Sequence, residues 1–380
     1  MVWLKVKVCL VLALFLTFNT LVYIVCNKHV PEERFGDYDE EKRETCIARE
    51  SIVFRKTHQC AGEAVQNILL RYGLNHHLDF LLPNRENYLG MPELAFSQQI
   101  SHNLQNTTGL YHILAHYTRL DTDTIRPVMR YDAAFITILR DPVSLYKTLY
   151  DYYDLEKEYN QTLSEYIKRP TAELYGQGRF ASVVGFNQMS WDLGLDPKYF
   201  DSDSDIYNFI RDTEAEFDLV LFAEYLEASL VLLSITMCWP LEEVASIPFN
   251  IHYFSKEITL QKPEINRISL LNKADSALYS FFLRRFKALI RDVGEALVMD
   301  KVSQLIDINL NLYMRCIMKV TVPRKGERKY AHIKYVLNPG AENDIFCKYA
   351  TMEESEFTDK VRHIQTIRWK TLHKLQKLLA

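Results

Sequence analysis

Hydrophobic positions along the chain gather into a few short, unbroken runs separated by longer stretches of helical period. Ser51-Ile-Val-Phe54, Leu110–Ala115, Ala133–Leu139 and Leu219-Val-Leu-Phe222 are the unbroken runs. Runs of this length and β-branched content suit strands of a parallel sheet buried on both faces. After the first, Ala64, Ile68, Leu69 and Tyr72 repeat at helical spacing within Glu63–Tyr72. After the third, Pro142 suits the first turn of a helix running toward Tyr153. Leu226–Met237 reads as an apolar helix, Leu260–Leu312 as mostly helical, and Thr358–Leu379 as a basic amphipathic helix. Strands alternating with helices predict an α/β fold with a central parallel sheet flanked by helices. No repeat or low-complexity tract interrupts it.

Ahead of this pattern, Val8–Cys26 contains no charged residue. As a helix it would span about 28 Å, close to the hydrocarbon thickness of a bilayer. Lys5 and Lys7 precede it, which favours a cytosolic N-terminus. The apolar run is longer than a usual signal-peptide core and no A-x-A-like cleavage site follows. The expected organisation is therefore a cytosolic tail at 1–7, a transmembrane signal anchor at 8–26, a charged stem at 27–48 and a lumenal domain at 49–380.

The chain has 380 residues, enough for one large core or two smaller ones, and its net charge of −4 carries no signature of nucleic-acid binding. An anionic ligand would have to be met by local basic residues. Of seven cysteines, Cys9 and Cys26 fall in the anchor, leaving five beyond it. Five is odd, so at least one is free or intermolecular. No C-x-x-C or His/Cys spacing suggests a metal, and none is expected. Asn106-Thr-Thr108 and Asn160-Gln-Thr162 are acceptor sequons for glycans.

Two strand-to-helix turns carry the candidate chemistry. One is Phe54-Arg-Lys-Thr-His-Gln-Cys-Ala-Gly62; the other is Ile138-Leu-Arg-Asp-Pro142 with Thr148 eight residues past the arginine. In an α/β sheet, ligands collect at the carboxyl ends of strands, and helix N-termini there attract anions. Lys56 and Arg140 thus sit where a doubly phosphorylated nucleotide would be gripped at both ends. A P-loop kinase is disfavoured, because no G-x-x-x-x-G-K-[ST] is present and no acidic magnesium site stands out.

These segments, together with Asn67-Ile-Leu-Leu-Arg-Tyr-Gly73, Trp191-Asp-Leu-Gly-Leu-Asp196, Phe217–Tyr225 and Glu227–Leu233, resemble the galactose-3-O-sulfotransferase family in order and spacing. The resemblance implies a P-loop-like sulfotransferase fold in a single-pass type II Golgi membrane protein. It implies 3′-phosphoadenosine 5′-phosphosulfate (PAPS) as co-substrate and a galactose-terminated glycolipid or glycan as acceptor, sulfated at its 3-hydroxyl. Lys56, Thr57, Gln59, Ala61, Gly62, Arg140 and Thr148 then fall at donor-binding positions, with Arg140 and Thr148 on the 3′-phosphate. His116 resembles the histidine of the family's N-H-M-R segment and becomes the candidate base beside Lys56; His58 is an alternative. Cys316 and Cys347 resemble a cysteine pair of the family, leaving Cys46 with Cys238 as a further pairing. Whether the chain works alone, as a homodimer or with a paralogue stays open.

The first loop departs from the family pattern. A lysine three residues after Lys56 is Gln59 here, and Thr and Ser positions become Cys60, Gly62 and Glu63. Gln59 can donate a hydrogen bond but carries no charge for the leaving phosphate. Lys56 swinging in, or a three-residue slip of the loop, would restore the charge. The alternative is a catalytically impaired relative that binds nucleotide or glycan. The basic run Arg324-Lys-Gly-Glu-Arg-Lys329 is a further candidate for contact with an anion.

Overall fold

The computed structural model describes residues 46–83, 87–89, 110–119, 122–247, 258–321 and 334–379. The expected anchor at Val8–Cys26, the stem up to 45, Asn106 and the Arg324–Lys329 cluster lie outside them. Among the described residues, no helix is long and apolar enough to cross a membrane.

The four unbroken apolar runs become one sheet: β1 (Ile52–Arg55), β2 (Ile113–Leu114), β3 (Ala134–Leu139) and β4 (Leu219–Phe222). Their order is β2-β1-β3-β4 and every neighbouring pair is parallel. Val53 sits opposite Leu114 on one side and Phe135 on the other, and Ile138 opposite Leu221. All strand residues are buried. That follows from apolar runs with no polar alternation, which leave no face fit for water.

The helices supply the cover. α1 (Gly62–Asn75) follows β1, α2 (Pro142–Tyr152) follows β3, and α3 (Gln188–Asp192) and α4 (Asp203–Glu216) precede β4. α5 (Leu226–Met237) follows β4, and α6 (Lys262–Leu271), α7 (Lys273–Val293) and α8 (Glu295–Cys316) divide the long helical stretch. Pro142 begins α2 as expected, and the Asp141 carboxylate caps it by accepting from the Ser144 N–H at 2.8 Å. The α7–α8 break falls at Gly294, whose φ of 106° suits glycine. A hairpin of β5 (Ile317–Thr321) and β6 (Lys334–Leu337) leads to α9 (Ile345–Ala350) and α10 (Glu354–Leu379). Cys316 and Cys347 form a disulfide between the end of α8 and α9. Cys46 and Cys238 are also disulfide-bonded.

The chain leaves β1 toward β2 on one side and passes from β3 to β4 on the other. The carboxyl ends of β1 and β3 are therefore a topological switch point, where the following loops diverge and open a crevice. α1, α9 and α10 pack together on the β1 side of it.

Gly73 is where α1 comes nearest the β2 edge. A Cβ added there would lie 2.6 Å from Ile113 Cδ1 and 2.8 Å from Phe80 Cε1. Overpacking of this kind costs about 1–3 kcal/mol, against ~1 kcal/mol of helix propensity gained. Gly73→Ala should lower the urea midpoint of unfolding. Gly176→Ala, whose added Cβ meets nothing within 4 Å, should not.

Candidate functional site

The loop after β1 is held by one carboxylate. Asp192, at the end of α3, accepts the backbone N–H of His58 at Oδ2 and faces ring Nδ1 at Oδ1, both at 2.8 Å. Gln188, one turn earlier, donates to Asp192 Oδ1 at 3.0 Å. This arrangement puts the ring proton on Nδ1 and leaves Nε2 to accept from the Tyr88 hydroxyl. The imidazole stacks on Tyr117 at 4.4 Å between centroids. Thr57 donates from Oγ1 to the Ile138 carbonyl at 2.5 Å, so its proton is spent tying the loop to β3. Cys60 is buried and free of any disulfide, and burial holds its thiol well above the ordinary range, so it is no nucleophile.

Beyond His58 the backbone turns through left-handed conformations at Gln59 (φ 55°) and Ala61 (φ 61°) and enters α1 at Gly62. No side chain caps this helix. Its first N–H groups therefore face the crevice with the positive end of the helix dipole. Arg140 reaches this loop from β3, donating from Nη1 to the Gln59 carbonyl at 2.8 Å. Its own N–H lies 3.2 Å from Met189 Sδ. Thr148 is half-buried two turns along α2. The structure thus brings Gln59, Ala61, Gly62 and Arg140 together at the switch point.

Lys56 is not the solvated lysine that a strand end suggests. It is 2% exposed, with its stem across Gly62, where an added Cβ would lie 2.8 Å from Lys56 Cγ. Its Nζ donates to Gln66 Oε1 at 2.7 Å, forms an ion pair with Glu354 on α10, and stands 4.4 Å over the Tyr117 ring. The ammonium is thus already engaged by two acceptors.

His116 is also sealed in, at 1% exposure. Thr358 donates its hydroxyl to the Glu354 carbonyl at 2.8 Å, so His116 Nε2, 3.0 Å from Thr358 Oγ1, carries the ring proton. His116 Nδ1 has no partner. Burial, reinforced by the Lys56 and Arg362 charges, lowers its pKa to about 3. The expected base is thus neutral at pH 7 but turned inward, away from an entering hydroxyl.

Gln66, Asn67, Asn87, Glu63, Glu354 and Tyr335 border a cavity of about 100 Å³ between α1 and the start of α10. Glu63 lines this cavity, so its carboxylate lies on the α10 side of α1. Sequence reasoning missed Gln66, Asp192 and Glu354. Asp192 stood in a segment noted for its order alone, and Glu354 precedes the expected start of the last helix. Asn160 is exposed and ends a short helix at φ 50°. Among the described residues, no cluster of three His, Cys, Asp or Glu could hold a metal ion.

The fold is that of an α/β protein with a central parallel sheet. Its switch point pairs an uncapped helix N-terminus with an arginine from the next strand, a combination that attracts anions. The galactose-3-O-sulfotransferase family model matches residues 2–334, and the chain belongs to that family. It is 30% identical over 278 residues to human (Homo sapiens) galactosylceramide sulfotransferase, covering 72% of this chain and 65% of that protein. It is 30% identical over 276 residues to galactose-3-O-sulfotransferase 3 of Bos taurus, covering 70% and 64%. With galactose-3-O-sulfotransferase 2 of Sus scrofa it shares 26% over 333 residues, 82% and 83% of the two chains. The match thus spans just under two thirds of the first two relatives.

Two buried groups give opposite pH dependences. His116 binds a proton near 6.5 when unfolded but only near 3 when folded, so its contribution is intact above pH 6.5 and falls as the pH drops toward 3. Asp275 is raised by burial from 3.8 to about 6, despite hydrogen bonds from Ser190 and Met189. Its contribution is present below 3.8 and is lost as the pH rises through 6. In urea unfolding between pH 6.5 and 4.5, His116→Gln should lose less stability than wild type, by up to about 1.4 kcal/mol per pH unit. Asp275→Asn should gain relative to wild type as the pH rises from 5 to 7.

Proposed function

We propose that this chain transfers a sulfuryl group from PAPS to the 3-hydroxyl of a terminal galactose on a glycolipid or glycan. The observation that carries the reading is the Arg140 hydrogen bond to the Gln59 carbonyl beside the uncapped N-terminus of α1. It sets a fixed cation beside a row of backbone donors. The residues fit the donor in part. Gln59, Ala61 and Gly62 would hold the phosphosulfate through backbone N–H groups, and Arg140 with Thr148 would hold the 3′-phosphate. Lys56 joins them only when Glu354 releases it. The acceptor class is taken from the relatives' names, galactosylceramide sulfotransferase and galactose-3-O-sulfotransferase. The uncharged Val8–Cys26 segment and the family resemblance support a Golgi membrane setting with the domain in the lumen. A second reading, a relative that binds nucleotide or glycan without turnover, is favoured by uncharged Gln59 and by the engagement of Lys56 with Glu354.

Calorimetric titration with desulfated donor (PAP) and turnover of labelled PAPS with galactosides separate the two. Arg140→Ala should weaken PAP binding by roughly 1.5–3 kcal/mol, about 10- to 150-fold. Unchanged PAP affinity would remove Arg140 from the site. Gln59→Lys should raise kcat with little change in donor affinity, because the added charge is needed mostly as the phosphate departs. PAP binding without turnover in both wild type and Gln59→Lys selects the binding reading.

A further inference from the structure

Beside the cavity between α1 and α10 lies a buried, unused donor. Gln66 is 1% exposed and lines this cavity. Its Oε1 accepts from Lys56 at 2.7 Å, while its Nε2 has no hydrogen-bond partner. A buried amide N–H₂ without a partner costs about 1–3 kcal/mol, and a ligand oxygen reaching it from the adjoining cavity would remove that cost. Across the same cavity stands Glu354, whose side chain is 18% exposed and ion-paired with Lys56. Asn67 and Asn87 add amides, and Tyr335 and Phe357 add flat apolar surface. Amides, carboxylate and ring faces around a small opening suit a polyhydroxyl ring.

We propose that this cavity receives the acceptor sugar, with Gln66 Nε2 donating to a ring hydroxyl and Glu354 as the catalytic base. The inference rests on the sulfuryl-transfer reading. The acceptor hydroxyl oxygen forms a bond to the sulfur of PAPS. The S–O bond to the 5′-phosphate breaks, PAP leaves with that electron pair, and the hydroxyl proton passes to the Glu354 carboxylate and on to solvent. Lys56 links the two sites. When the donor's phosphosulfate draws Nζ away, the Glu354 carboxylate is released from its ion pair and is free to accept from the arriving hydroxyl. Glu63, Glu353 and Glu354 all line the cavity, and Lys334 lies 3.9 Å from Glu353 at its edge.

The test uses the full chain, PAP as donor probe and methyl β-galactoside as acceptor probe. Wild type should bind the galactoside, and Gln66→Leu should weaken that binding at least tenfold while PAP affinity stays within twofold. Glu354→Gln should lower kcat by about 10²–10⁴-fold with KM within about threefold. Formate should restore part of the turnover of Glu354→Ala, which a purely structural role would not allow. Glu354→Gln unpairs a buried lysine, so Glu354→Asp is the companion variant. It keeps the charge beside Lys56, should melt near wild type, and should still lose turnover. Galactoside binding that is absent in wild type or unchanged in Gln66→Leu overturns the proposal, as does wild-type turnover in Glu354→Asp. Failure of PAP to bind, or an inert wild type, instead sinks the sulfuryl-transfer reading. The Gln66→Leu galactoside result then still decides whether the cavity is a sugar site.

Discussion

A lysine ammonium buried at the end of β1 constrains everything around it. Taking an unpaired charge that far from water costs several kcal/mol, so Lys56 must be met by a carboxylate and further acceptors. The carboxylate comes from Glu354, 298 residues along the chain, and the second acceptor from Gln66 on α1. Satisfying one charge thus fixes where α10 begins, how α1 is turned and why Gly62 has no side chain. The Arg169–Glu173 pair, four residues apart at the surface, organises nothing comparable, because water screens it.

Asp192 does for the loop what Glu354 does for the lysine. By taking both the backbone and the ring of His58, it holds the chain just before the left-handed turns at Gln59 and Ala61. Arg140 then closes the loop from the neighbouring strand. The loop at the N-terminus of α1 is therefore held from behind by Asp192 and from the side by Arg140.

What the sequence showed and what it concealed divide by distance along the chain. β1, β3 and β4 were legible because unbroken apolar runs admit few other placements. The Leu110–Ala115 run shrank to Ile113–Leu114, the two residues that pair with Ile52 and Val53 of β1. The last helix begins at Glu354 rather than Thr358, since its acidic first turn carries no apolar period to announce it. Lys56, Thr57, Gln59 and Arg140 could be placed at strand ends, but their partners lie 10 to 298 residues away and no local pattern encodes them. His116 was legible as a histidine after a strand. That it faces inward depends on Thr358 and Lys56, which only the folded chain brings to it.

The departure at Gln59 can now be weighed by what the residue contributes. Its carbonyl, not its side chain, accepts from Arg140, and its φ of 55° is a backbone property. Any non-glycine residue there bears a similar left-handed cost. The loop's shape is therefore independent of the side chain at this position, and so is the exposure of the α1 N–H groups. Replacing a lysine by glutamine changes the charge above the opening without disturbing the opening itself. A family member can consequently keep the shape of this loop while the charge above it changes. Among the described residues Arg140 and Lys56 bring positive charge to this loop, and the freedom of Lys56 is governed from the far end of the chain by Glu354.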